Sequence, residues 1–128
     1  MFVDTSALYA LLDRDDESHG RAAETFAAHR GQELLTHSYV VVEAVALAQS
    51  RLGMAPTRQL LDGLLAAVQV HLVTAQLHAM AIAALLASGS RRVSLVDRVS
   101  FAFMREHGLY RAFAFDRHFR REGFALVP

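Results

Sequence analysis

Short apolar runs alternate with stretches of helical periodicity along this chain, and that alternation constrains the fold more than any other feature of the sequence. "FV" at residues 2–3, "ELLTH" at 33–37, "VQVHLV" at 68–73, "RAFAF" at 111–115 and "FALV" at 124–127 are each the length of one short strand. The first is followed by "SALYALLD", with Ala7, Leu8, Leu11 and Leu12 at core spacing. "RAAETFAAHR" before Gly31 predicts a second helix with a glycine stop. Val40–Val42 in "SYVVVEAVALAQSRLG" favour a strand, whereas the length of the segment and its Gly53 stop favour a helix. Pro56 is expected at the first position of a helix in which Leu60, Leu61, Leu64 and Leu65 form one stripe. "TAQLHAMAIAALLAS" and "SLVDRVSFAFMREHG" predict two more helices, punctuated by Gly89 and Gly108. Strands separated by helices imply βαβ units, hence a parallel sheet covered on both faces.

The 128 residues are the size of a single domain, and no linker, repeat or low-complexity segment divides them. Residues 63–90 contain no Asp, Glu, Lys or Arg, but their longest wholly apolar stretch, "AMAIAALLA", is far short of the ~20 residues of a membrane span. With no cysteine and no basic-then-apolar leader, the expected compartment is the cytoplasm. Net charge is zero but polarised. Residues 1–62 carry nine acids and five arginines, residues 91–122 eight arginines and four acids, and no lysine occurs anywhere.

Four acids stand where an acid is costly. Asp4 and Asp116 follow the apolar runs "FV" and "AFAF", at the carboxyl ends of predicted strands, where open parallel sheets bind their ligands. Glu43 interrupts "VVVEAVALA", and Asp97 heads the helix carrying Val99 and Phe103. Each has a local explanation. Asp4 suits a helix N-cap, Ser94–Asp97 fits a capping box, Asp116 suits a turn, and Glu43 could face solvent. Taken together they point elsewhere, because desolvated carboxylates repel one another unless hydrogen bonds or a cation compensate. Hard oxygen donors without thiolates suit Mg²⁺ or Mn²⁺, ions that bind through carboxylates and phosphate oxygens. The seven histidines, His19 and His118 among them, offer no tight pair for zinc, and His37, His71 and His78 are expected to be packing or surface residues.

The segments "FVDTSALYALLDRDDESH", "LLTHSYVVVEAVAL", "SLVDRVSFAFMREHG" and "AFAFDRHFRREGF" resemble, in order and spacing, PIN-domain proteins, specifically the ribonuclease toxins of VapBC-type toxin–antitoxin pairs. The resemblance implies a three-layer α/β/α sandwich around a parallel sheet of four to five short strands. It also implies an RNA-hydrolysing site with Mg²⁺ or Mn²⁺ held by Asp4, Glu43, Asp97 and Asp116 and ordered by Thr5 and Ser6. A cognate antitoxin and a homodimer are the implied partners, with helices near the Leu60–Leu65 stripe helping to grip the antitoxin. Val96 and Arg98 depart from the family's usual residues around the third acid. Arg98, Arg117, Arg120 and Arg121 are candidates for holding RNA phosphates. A phosphoacceptor domain would need a lysine, and a haloacid-dehalogenase-type phosphatase an Asp-x-Asp, and the chain has neither at the required place. A non-catalytic metal- or RNA-binding module and a non-toxin RNA-processing nuclease are the alternatives.

Overall fold

Phe2, completely buried, sits between two strands that the chain reaches much later: it pairs with Leu35 on one side and Ala112 on the other. The computed structural model describes residues 1–128. β1 (Phe2–Val3) leads through α1 (Thr5–Leu12) and α2 (His19–Ala28) to β2 (Leu35–His37). From there α3 (Ser38–Arg51) and α4 (Met54–Arg58) lead to β3 (Gln69–His71). After β3 come α5 (Ala75–Ser88), α6 (Leu95–Glu106), β4 (Arg111–Phe113), α7 (His118–Arg121) and β5 (Ala125–Val127). The five strands form one parallel sheet in the order β3-β2-β1-β4-β5. Connections run one way from β1 to β3 and then reverse, so right-handed crossovers place helices on both faces. This is the expected α/β architecture, with five strands.

β1 and β2 are short because each runs straight into a helix start. Asp4 caps α1, His37 caps α3 and Ser94 caps α6, each with a side chain accepting a backbone N–H from the first turn. α3 resolves the ambiguity at Val40–Val42 in favour of helix. Only Val40 of the three is buried, and Val42 is two-thirds exposed, a helical rather than an alternating pattern.

The region after Gly53 differs from expectation. α4 begins at Met54, so Pro56 is its third residue, where a missing N–H still falls among the unpaired donors of a first turn. The helix does not continue regularly. Gln59–Gly63 widens into a π-turn and Leu64–Ala67 tightens into a 3₁₀ turn, and this change of pitch breaks up the predicted leucine stripe. Leu60 is fully buried, whereas Leu61 is exposed.

One contiguous apolar cluster spans both sides of the sheet. Phe2, Phe101, Phe103, Phe113 and Phe119 are its largest buried members. His37 belongs to it. Stacked on Phe2, it accepts the Val40 N–H at Nδ1 (3.4 Å), which leaves its Nε2–H to donate to Ser100 Oγ at 2.8 Å. Ser100 in turn donates to the Val96 carbonyl at 2.9 Å, so β2, α3 and α6 are tied by one buried chain of hydrogen bonds. Burial pushes the His37 imidazole down to about 4, keeping it neutral. No helix is long and apolar enough to cross a membrane.

Candidate active site

The strand order reverses between β1 and β4, and in open parallel sheets the crevice outside such a reversal is where ligands bind. Asp4 leaves β1 at this point and Asp116 lies just beyond β4. The two loops are fastened together by Ser6. Its Oγ donates to Asp4 Oδ2 at 2.6 Å and accepts the Phe115 N–H at 3.0 Å, while the Asp4 N–H donates to the Phe113 carbonyl at 3.0 Å.

Asp4 is 5% exposed, and burial pushes its carboxyl up to about 6 against the hydrogen bonds from the Ser6 hydroxyl and N–H; the nearby charges of Asp97 and Glu43 push the same way. Asp97 is also raised, first by burial and then by the Asp116 charge, against its capping hydrogen bonds with Ser94 and the influence of His118. These repulsions link all four predicted acids into one sequence, Glu43 to Asp4, Asp4 to Asp97 and Asp97 to Asp116. Of the four, Asp97 and Asp116 belong to one close set of ligand atoms, which Asp4 and Glu43 do not join. Glu43 reaches it from α3, half-buried among Val40, Ala44 and their neighbours.

Asp97 has two roles in the geometry. It completes the capping box of α6 and simultaneously faces His118 and Asp116. Ligand atoms of Asp97, Asp116 and His118 lie within 4.8 Å of one another. His118 Nδ1 is 3.1 Å from Asp116 Oδ1 and 3.7 Å from Asp97 Oδ2, buried, and without a well-aligned hydrogen bond. An imidazole nitrogen and two carboxylates so placed fit a divalent cation, which would satisfy the imidazole lone pair and offset the carboxylate repulsion. His118 was not singled out by spacing. Its signal was its position two residues after Asp116, at the first residue of α7, where its N–H donates to Asp116 Oδ1 at 2.9 Å.

Thr5 and Ser6 both stand at the site. Thr5 Oγ1 is buried with no partner, beside the fully engaged Ser6 hydroxyl. The arginines separate. Arg98 lines a groove between α5 and α6, and its Nη1 lies 3.5 Å from Glu122 Oε1. Arg117, Arg120 and Arg121 are exposed on and beside α7, and none of them forms an ion pair.

The PIN domain model matches residues 1–125. The chain belongs to the PIN-domain family. Within that family it is 36% identical over 128 residues to a protein of Mycobacterium tuberculosis named 23S rRNA-specific endonuclease VapC20, covering 99% of this chain and 97% of that protein. The crystal structure of M. tuberculosis VapC20, described as a sarcin–ricin loop cleaving toxin, superposes with a TM-score of 0.88 at 34% identity, over 97% of this chain and 95% of that one. FitAcB from Neisseria gonorrhoeae shares the fold, with a TM-score of 0.72 at 14% identity over 99% and 96% of the two chains. This PIN domain therefore has both the architecture and the near-complete length of VapC20.

Proposed function

We propose that the chain is a metal-dependent endoribonuclease, one catalytic domain over residues 1–128, acting in the cytoplasm as the toxin of a toxin–antitoxin pair. The observation that carries the reading is the meeting of Asp97, Asp116 and His118 within 4.8 Å, with buried Asp4 at the sheet's reversal point under the charge of Asp97. Likeness to VapC20 supports the toxin role and makes the sarcin–ricin loop of 23S rRNA the first substrate to offer. A cognate antitoxin and a second copy of the chain are the proposed protein partners.

In this reading Asp4, Asp97 and Asp116 hold Mg²⁺ or Mn²⁺, with Glu43 completing the set directly or through water. Bound there, the cation supplies an ionised water and charge stabilisation at the phosphorus. The protein's own groups do the placing. Ser6 holds Asp4 and the Phe115 backbone in fixed relation, Ser94 fixes the Asp97 carboxylate, and the Asp116 turn is held by the His118 N–H. Thr5 Oγ1, buried without a partner, is positioned to order a water beside Asp4. No side chain is required as nucleophile.

The test is cleavage of an RNA oligonucleotide carrying that loop, with Mg²⁺, Mn²⁺ or EDTA, by wild type and by Asp4→Asn and Asp97→Asn. Cleavage confined to the metal-containing wild-type reactions supports the proposal. Full activity in a folded Asp97→Asn protein removes Asp97 from the site. Metal binding without cleavage of any RNA favours the non-catalytic module, and cleavage without toxicity on expression favours a processing nuclease.

A further inference from the structure

Two cavities adjoin at Phe115, next to Asp116. One, about 310 Å³, has Thr5, Ser6, Tyr9, Asp16 and Arg51 in its wall. The other, about 480 Å³, has Arg21, Arg117, Arg120 and Leu126. Glu17, Ser18 and Phe115 line both, so the two are halves of a single trough that passes the first turn of α1, where Asp4 is the cap.

The four arginines of this trough form no ion pairs, unlike Arg98 and Arg105, which both engage Glu122. Two of them lie over aromatic rings. The Arg21 guanidinium is 5.2 Å from the Phe115 ring centre, and that of Arg51 is 5.5 Å from the Tyr9 ring centre. An arginine held over a ring keeps its charge and presents its outer face as a platform for a base. Solvated arginines scattered over a helix face would not converge on a concave surface from α2, α3, the β4–α7 loop and α7. Nor would a pocket for one free phosphate spread its cations across both sides of Phe115.

We propose that this trough is the track for a single strand of RNA. Arg117 and Arg120 hold backbone phosphates on one side of Phe115 and Arg51 on the other, and Arg21 on Phe115 offers a stacking plane between them. Cationic groups and rings gathered in one groove suit an unpaired strand, whose bases are free to turn outward, better than a duplex. The assignment rests on the RNA-cleaving reading and adds the strand's path and the residues that hold it.

The experiment is fluorescence anisotropy of a labelled single-stranded RNA in EDTA over a series of salt concentrations, so that cleavage plays no part. Arg117→Ala/Arg120→Ala and Arg51→Ala are compared with wild type and with Arg58→Ala, a control on α4 outside the trough. Each lost phosphate contact should flatten the plot of log Kd against log salt by about 0.7, hence by about 1.4 for the double variant, with Arg58→Ala at the wild-type slope. In the cleavage assay with Mn²⁺ the double variant should raise KM with little change in kcat. Arg117→Gln/Arg120→Gln gives the same answer should the alanine variant fold poorly. Wild-type affinity and slope in a folded double variant overturn the track, and so would a 5′-mononucleotide that binds as tightly as the strand. Arginine-dependent binding without cleavage in any divalent cation sinks the nuclease reading but supports the track.

Discussion

Ser94 and Asp97 cap each other: Asp97 Oδ2 accepts the Ser94 N–H at 3.0 Å, and the Asp97 N–H donates to Ser94 Oγ at 3.1 Å. The same carboxylate faces Asp116 across the site. One group thus stabilises a helix end and strains the cluster, and substitutions separate the two effects. Asparagine keeps an oxygen for the Ser94 N–H but removes the charge, whereas alanine loses both. In EDTA near neutral pH, Asp97→Asn should therefore melt above wild type, and Asp97→Ala below Asp97→Asn by about 1 kcal/mol, the usual worth of a cap. Both should gain less than wild type from millimolar Mn²⁺, because metal stabilises only through a folded-state site. Thermal melts of the three proteins decide it. An Asp97→Asn protein less stable than wild type in EDTA and equally responsive to metal would leave the residue a cap alone.

The pH response of the metal-free protein contains two opposed contributions. Asp4 has a folded pKa of about 6 against 3.8, so the folded state holds a proton that the unfolded state releases, and its stabilising contribution fades as pH rises through this range. The full swing is roughly 3 kcal/mol at 1.36 kcal/mol per unit. His37, with a folded value of about 4 against 6.5, does the reverse: the unfolded state takes the extra proton, and stability grows as pH rises from 4 to 6.5. The two largely offset each other. Asp4→Asn removes one and exposes the other, so its stability relative to wild type should rise steadily between pH 4 and 6. Urea melts at several pH values in EDTA give that difference, and a constant offset would contradict the shift assigned to Asp4.

His118 lies between two carboxylates without a satisfactory hydrogen bond of its own. His118→Ala should weaken Mn²⁺ binding by about 10- to 100-fold, the range seen when groups that orient a metal's ligands are removed. Calorimetric titration measures it directly. Mn²⁺ binding equal to wild type would place the imidazole outside the metal's surroundings.

Expression of the chain without a partner should arrest a bacterial host, and Asp4→Asn should relieve the arrest at equal protein level. Loss of a metal-holding carboxylate removes several kcal/mol of transition-state stabilisation, a decrease in rate of roughly a hundredfold or more. Growth curves with matched immunoblots are the measurement. Arrest by the Asp4→Asn protein at wild-type strength would assign the toxicity to something other than this site.

The sheet and most helices were legible because their signals are local: apolar runs of strand length, capping residues at Asp4 and Ser94, and glycine stops such as Gly89, which ends α5 with a φ of 60°. Residues 59–67 were misread because nothing local distinguishes a π-turn followed by a 3₁₀ turn from a regular helix with four leucines. Glu43 was visible as an acid without polar neighbours, and its charge does bear on Asp4. The fate of Arg98 was not visible, because its partner Glu122 is 24 positions away and the choice between acid cluster and α5–α6 groove is a matter of helix rotation. His118 was hidden for a related reason: only the fold reveals that α6 delivers Asp97 to it.

The pairing of Phe2 with Ala112 and of Val3 with Phe113 sets a condition on synthesis. β1 is the first strand to be made, yet one of its two neighbours in the sheet is the fourth, and Asp116 lies beyond that strand. Such long-range contacts form late, after the intervening chain has been ordered. A growing polypeptide still on the ribosome, with residues 111–116 not yet released from the exit tunnel, lacks both the β1–β4 crevice and half of the Asp97–Asp116 pair. Were the chain to cleave ribosomal RNA, this topology would keep it harmless to the particle making it until residues 111–116 had emerged and joined the sheet.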